Sequence, residues 1–178
     1  MNYNPALTTK GVRERLAREQ DPIVRRNLET VLRHQEAEIA ADLEGIMATM
    51  VEEPHFHFHG IMDASGKIHS SEVKGSEAVR AMYRGAIASK AALYQEFDCH
   101  SVVADRYAVS YAGWLRTPMD GPGLIALGYD ADPAAHYSNE GMHWTFWSFR
   151  EDGLAYGEDI AFDAKAFEEI LSRRVDGL

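Results

Sequence analysis

The hydrophobic period of this chain changes partway along, and that change limits the folds open to it. Through most of the first half apolar residues recur every three or four positions; from Gln95 onward they alternate. The first pattern makes one face of a helix apolar, the second one face of a strand. Leu28, Val31, Leu32, Gln35, Ile39 and Leu43 form one helical stripe, and Asp42 predicts the cap of a short helix carrying Ile46, Met47 and Met50. "GSEAVRAMYRGAIASKAAL" predicts another helix, capped by Ser76, with Val79, Met82, Tyr83 and Ile87 inward. "FDCHSVVA", "RYAVSYAGWLRT", "MHWTFWSF" and "LAYGEDIAF" predict strands, with turns at Asp105-Arg106 and "EDG". Another strand begins at His55. Helices followed by a mostly antiparallel sheet is an α+β order.

The ends and connections carry weaker signals. Residues 1 to 11 read as loose, followed by a short charged helix from 12 to about 20 that Asp21-Pro22 stops. Thr117 to Gly141 reads as a loop rich in Gly, Pro and Asp. Its apolar "GLIALGY" suits a lid over a pocket, or an extension packed on a neighbouring subunit. Asp163 predicts the cap of a final helix with Phe167, Ile170, Leu171 and Val175 inside.

At 178 residues the chain is one domain's worth. A net charge of -10 argues against nucleic acid or an anionic membrane as partner. Cys99 is the single cysteine, so no intrachain disulfide can form, and a reducing, cytoplasmic setting is expected. No apolar run is long enough for a membrane span, and "MNYNPALTTKG" lacks the apolar core of a signal peptide.

The stretch with most chemistry is "EEPHFHFHG". In a strand His55, His57 and His59 share one face, and Phe56 and Phe58 the other. Three readings stand: histidines covering an outer face, a pocket histidine acting as acid or base, or two ligands of a metal. The metal reading lacks a third ligand in the sequence, so no metal is expected. His143, Thr145 and Trp147 share one face of "GMHWTFWSF". Glu158 and Asp159 point to opposite sides of their strand. His100 and Cys99 read as structural, and Met47, Met50 and Met82 as core filling. No phosphate loop, nucleophile elbow or paired CxxC is present.

"AEIAADLEGIMATMVEEPHFHFHG", "GSEAVRAMYRG" and "FWSFREDGLAYGEDIAFD", in that order, resemble the NTF2-like superfamily, and most its SnoaL-like branch. The resemblance spans about 28 to 165. It divides the chain into an N-terminal extension, 1–27, partly helical, and a single domain, 28–178. It implies an NTF2-like (cystatin-like) α+β cone, a strongly curved antiparallel sheet around helices with an open apolar cavity. Many members are homodimers, and the apolar outer faces of "FDCHSVV" and "YAVSYAGW" fit a homodimer here. The ketosteroid isomerases of the superfamily carry catalytic acids where this chain has Phe58 and Thr145, so that chemistry is not expected; a pocket tyrosine of theirs matches Tyr83.

The implied activity is cofactor-independent acid/base work on a small apolar molecule: isomerisation, dehydration, cyclisation or hydrolysis. His143, His57 or His59 would serve as base, Tyr83 as donor to an oxyanion and Glu158 as orienter. Phe56, Phe58, Thr145 and Trp147 would line the pocket. The alternatives are a non-catalytic binding protein, or a structural subunit like the small subunits of ring-hydroxylating dioxygenases.

Overall fold

A computed structural model describes residues 3–176 and Leu178. The helices are α1 (Ala6–Leu16), α2 (Pro22–Ile39), α3 (Leu43–Met47), α4 (Ser76–Ala88) and α5 (Gly121–Ala126). The strands are β1 (His55–Met62), β2 (Ile68–Lys74), β3 (Glu96–Ala104), β4 (Ala108–Asp120), β5 (His136–Phe149), β6 (Ala155–Phe162) and β7 (Arg174–Val175). They form one 7-stranded sheet in the order β2-β1-β6-β5-β4-β3, with β7 pairing β5. All pairs are antiparallel except β1 with β6. This is the α+β architecture expected from the change of period. Among the described residues no helix is long and apolar enough to cross a membrane.

The helices lie against the concave side of the sheet. Asp21 caps α2 by accepting from the backbone N–H of Ile23 and Val24, with Pro22 starting the helix. Leu28 and Val31 of α2, Ile46 of α3 and Val79 of α4 then meet Phe56, Val109 and Trp147 of the sheet in one core. At Gly60 β1 bulges: its φ is +81°, and a Cβ there would lie 2.1 Å from the carbonyl oxygen of Phe162. Only glycine fits this crossing. Beyond it Ile61 and Met62 serve a second cluster around Leu124, Tyr137, Phe167 and Ile170. The outer face exposes Trp114, Trp144 and Phe146, on the side expected to meet a second copy.

Three expectations need correction. Residues 1–11 are not wholly loose: α1 begins at Ala6, buries Thr8, Thr9 and Val12, and packs on β3. There a Cβ on Gly11 would lie 2.5 Å from the Cβ of Cys99, so backbone and strand touch closely. The segment from Thr117 to Gly141 is no lid. β4 and β5 pair to their ends, Asp120 opposite His136, and α5 closes the hairpin. Leu124 of "GLIALGY" is buried in the second cluster, which explains the apolar run without a pocket beneath it. The final helix is only two 3₁₀ turns, Ala164–Phe167 and Ile170–Ser172. Asp163 does cap the first, but the Arg173 carbonyl then accepts from the Ser138 N–H, and the chain leaves as β7.

Candidate functional site

Between α2, α4 and the inner face of the sheet lies a cavity of about 230 Å³. Its apolar wall comes from Phe56 and Phe58 of β1, Met82 and Ala86 of α4, and Ile160 and Phe162 of β6. Pleat alternation puts them there: each strand turns every second side chain inward. The polar lining includes Glu38, Tyr83, His143, Thr145 and Glu158.

One wall holds a continuous hydrogen-bonded chain centred on His34, a fully buried residue of α2. Thr49 Oγ1 donates to the Ile46 carbonyl at 2.6 Å, so its oxygen is left to accept from His34 Nδ1 at 2.8 Å. In the neutral ring Nε2 is then the acceptor, and Tyr83 Oη lies 2.8 Å from it. Tyr83 Oη is also 3.3 Å from Glu158 Oε1. The Tyr83 proton can go to only one of these partners. If it goes to His34, a protonated Glu158 donates to Tyr83; if it goes to Glu158, the imidazolium donates to Tyr83. The two arrangements hold the same number of protons. The first creates no buried charge and is favoured on that ground.

The titration directions agree. Burial, then the negative charge of Glu38, holds the Glu158 carboxyl well above its ordinary 4.5. Burial above all, with the negative charge of Glu38, keeps the Tyr83 hydroxyl protonated. Glu38, one turn beyond His34 on α2, brings Oε1 to 3.7 Å from His34 Nε2, where Glu158 Oε1 lies at 3.5 Å. Two carboxyl groups therefore flank one imidazole nitrogen at the cavity wall. Trp147 is not a cavity residue: it is fully buried behind His34, edge to face at 4.8 Å between ring centroids.

A native carboxyl with a raised pKa contributes its full stabilisation below the unfolded value of about 4.5 and loses it as pH rises toward the folded value. Glu158→Gln is therefore expected to gain stability relative to the parent as pH is raised above that point, in urea midpoints measured at a series of pH values. A parent that instead gains on the variant would show an ionised Glu158 paired with an imidazolium.

On β5, the strand beside that of Glu158, His143 Nε2 lies 2.9 Å from Thr145 Oγ1, while Nδ1 has no partner among the described residues. Burial lowers its pKa to about 4. His143 is thus neutral near pH 7, a hydrogen-bonding group with little strength as a base.

The cavity brings together Tyr83, Glu158, His143, Thr145, Phe56 and Phe58 of the residues singled out in the sequence. It does not include His57 and His59, because the pleat that turns the phenylalanines inward turns these histidines out. His34 and Glu38 had not been singled out. Their signal was present: in "LRHQEAE" His34 and Glu38 are four apart, on the buried side of the stripe begun by Leu28 and Val31.

No protein-family model matches the sequence, and no curated protein matches it. Solved structures do. A protein from Jannaschia sp. CCS1 assigned as a SnoaL-like polyketide cyclase gives a TM-score of 0.62 at 20% identity, over 87% of this chain and 97% of that one. An NTF2-like protein from Burkholderia xenovorans LB400 gives 0.59 at 14%, over 83% and 97%. TerC, co-crystallised with polyporic acid, gives 0.57 at 16%, over 83% and 98%. At these identities the likeness is one of fold.

Proposed function

We propose that this chain, which has the NTF2-like fold shared by SnoaL-like proteins, is an acid/base catalyst acting on a small, largely apolar ring compound. The observation that carries this reading is the pair of carboxyl groups either side of His34 Nε2. Glu158 is deep and keeps its proton, whereas Glu38 is partly exposed and its negative charge raises Glu158. A held proton and a candidate base thus stand side by side.

In the proposed chemistry Glu38 removes a proton from a carbon next to a carbonyl. Tyr83, its hydroxyl hydrogen turning from His34 to the ligand while Glu158 donates to it from behind, hydrogen bonds to the oxygen as negative charge develops there. His34 is a positioning residue that fixes Tyr83, and the protonated Glu158 behind Tyr83 can replace the proton it gives up. His143 and Thr145, on the neighbouring strand, orient the ligand. A cavity of about 230 Å³ lies below the roughly 300–1,000 Å³ typical of drug-sized ligands, so one or two fused rings fit. TerC, with the same fold, was crystallised with polyporic acid, and other structural neighbours are described as polyketide cyclases.

A generic probe tests this without the natural substrate. In D2O the protein is expected to accelerate α-hydrogen exchange of 2-tetralone, followed by proton NMR. Glu38→Gln should lower the rate about 100-fold and Tyr83→Phe about 10–100-fold, while Ala86→Trp should block binding. Binding that Ala86→Trp abolishes, without exchange above buffer, would favour a non-catalytic ligand-binding protein.

A further inference from the structure

We propose that the outer face of the sheet carries a divalent transition-metal site, made by His55, His57 and Glu72, with Asp159 as the residue that orients His57. The proposal is independent of the cavity and its chemistry.

The sequence offered two ligands on β1 and no third. Strand pairing supplies it. Glu72 of β2 stands directly opposite His57, and on the other side of β1 His57 is opposite Asp159 of β6. His57 is thus held between two carboxylates by register alone. Its Nδ1 is hydrogen bonded to Asp159 Oδ1, which makes Nδ1 the protonated nitrogen and leaves the Nε2 lone pair free. Nε2 faces Glu72 Oε2 at 4.0 Å, and His55 Nε2 lies 3.0 Å from the same oxygen.

Residues two apart on a strand are about 7 Å apart at Cα, yet the His55 and His57 rings have leaned to a centroid separation of 4.1 Å. One ligand atom from each of the three side chains lies within 4.8 Å of the others. Two ligands on one tetrahedral zinc stand about 3.3 Å apart, given bonds of about 2.0–2.1 Å. Small side-chain rotations close that gap. A carboxylate on the outer nitrogen of a ligating histidine fixes the tautomer and raises its basicity, as Asp159 is placed to do.

The donor set, two imidazoles and one carboxylate with room for water, suits Zn²⁺; Ni²⁺ and Cu²⁺ would compete, and Mg²⁺ or Ca²⁺ would not. The alternative is a surface ion-pair cluster with protonated histidines. Exposed pairs of that kind contribute little, and two imidazolium rings at this separation would repel. His59 stands outside the cluster: only His55, His57 and Glu72 bring ligand atoms within 4.8 Å of one another, and the Nδ1 of His59 is hydrogen bonded to Ser70 Oγ. A bound ion would fasten β2, which among the described residues pairs with β1 alone, to β1 and through Asp159 to β6.

The test uses the full chain without a histidine tag, stripped with a chelator and titrated calorimetrically with ZnCl2. Binding of about one ion per chain is expected, with slower amide exchange along β2 and a chelator-reversible rise in Tm. His55→Ala and His57→Ala should each abolish it, and Asp159→Asn should weaken it about 10–100-fold. His59→Ala should leave it unchanged. All these side chains are on the outer face, so the variants are expected to fold, which far-UV circular dichroism checks. Co²⁺ should give the visible absorption of a four-coordinate imidazole–carboxylate site, lost in His57→Ala. Absence of zinc binding, or binding that survives the His55 and His57 substitutions, overturns the proposal.

Discussion

Replacing His34 with alanine is expected to lower the stability of the fold by about 3–4 kcal/mol. Two effects combine. The imidazole packs on Trp147 and Tyr83 in the interior, so its removal leaves a hole between rings that cannot easily collapse. It also accepts from Tyr83 and donates to Thr49, and both partners lose a buried hydrogen bond. For a domain of this size the fall in Tm should be on the order of 10 °C. His34→Gln, which keeps one donor and one acceptor, should recover part of it. Urea unfolding at pH 7 measures both, and an alanine variant as stable as the parent would remove the hydrogen-bonded chain from any structural role.

The second large effect is acid sensitivity from His143. Burial lowers its pKa from 6.5 to about 4. Between those values the unfolded chain binds a proton that the folded protein does not, so stability falls as pH falls. By pH 4 the loss should be on the order of 3 kcal/mol. His143→Gln, which does not titrate and can still hydrogen bond to Thr145, should lack this component. The measurement is the difference between parent and variant urea midpoints from pH 7 down to 4; a difference that stays constant with pH would mean that His143 is hydrated and its pKa ordinary. This dependence is opposite in sign to that of Glu158.

The sequence made the sheet legible because strand alternation is a local signal. A period of two puts Phe56 and Phe58 on one face and the histidines on the other, and sets Thr145 apart from its strand neighbours; which face turns inward is decided by the packing of the helices on the sheet. Alternation offers Glu158 as a pocket carboxylate, while Tyr83, on a helix, is offered through the resemblance. His34 was not legible. It stands on the buried side of a helix, and the stripe there reads as core whichever residues occupy it; only the arrival of Thr49 and Tyr83 from other elements makes it a hub. Glu72 was invisible for a related reason, since strand pairing rather than spacing brings it to His57. The 117–141 segment misled because proline and glycine usually mark loops. Here Pro118 sits within the paired end of β4 opposite Ser138. Gly121 lets two stretches of backbone cross so closely that a Cβ on it would lie 2.0 Å from the Asp132 carbonyl oxygen.

The close contact of Gly11 with Cys99 gives the protein a built-in clock. Cys99 is the single thiol of the chain; it is half-buried where α1 crosses β3, and burial raises its pKa, so the docked state reacts slowly. Segments such as α1 lift from the body of a domain far more often than the whole fold unravels. The rate at which a thiol reagent labels Cys99 therefore counts departures of the N-terminal helix, and comparing that rate with global unfolding separates the two events with no label engineered into the chain.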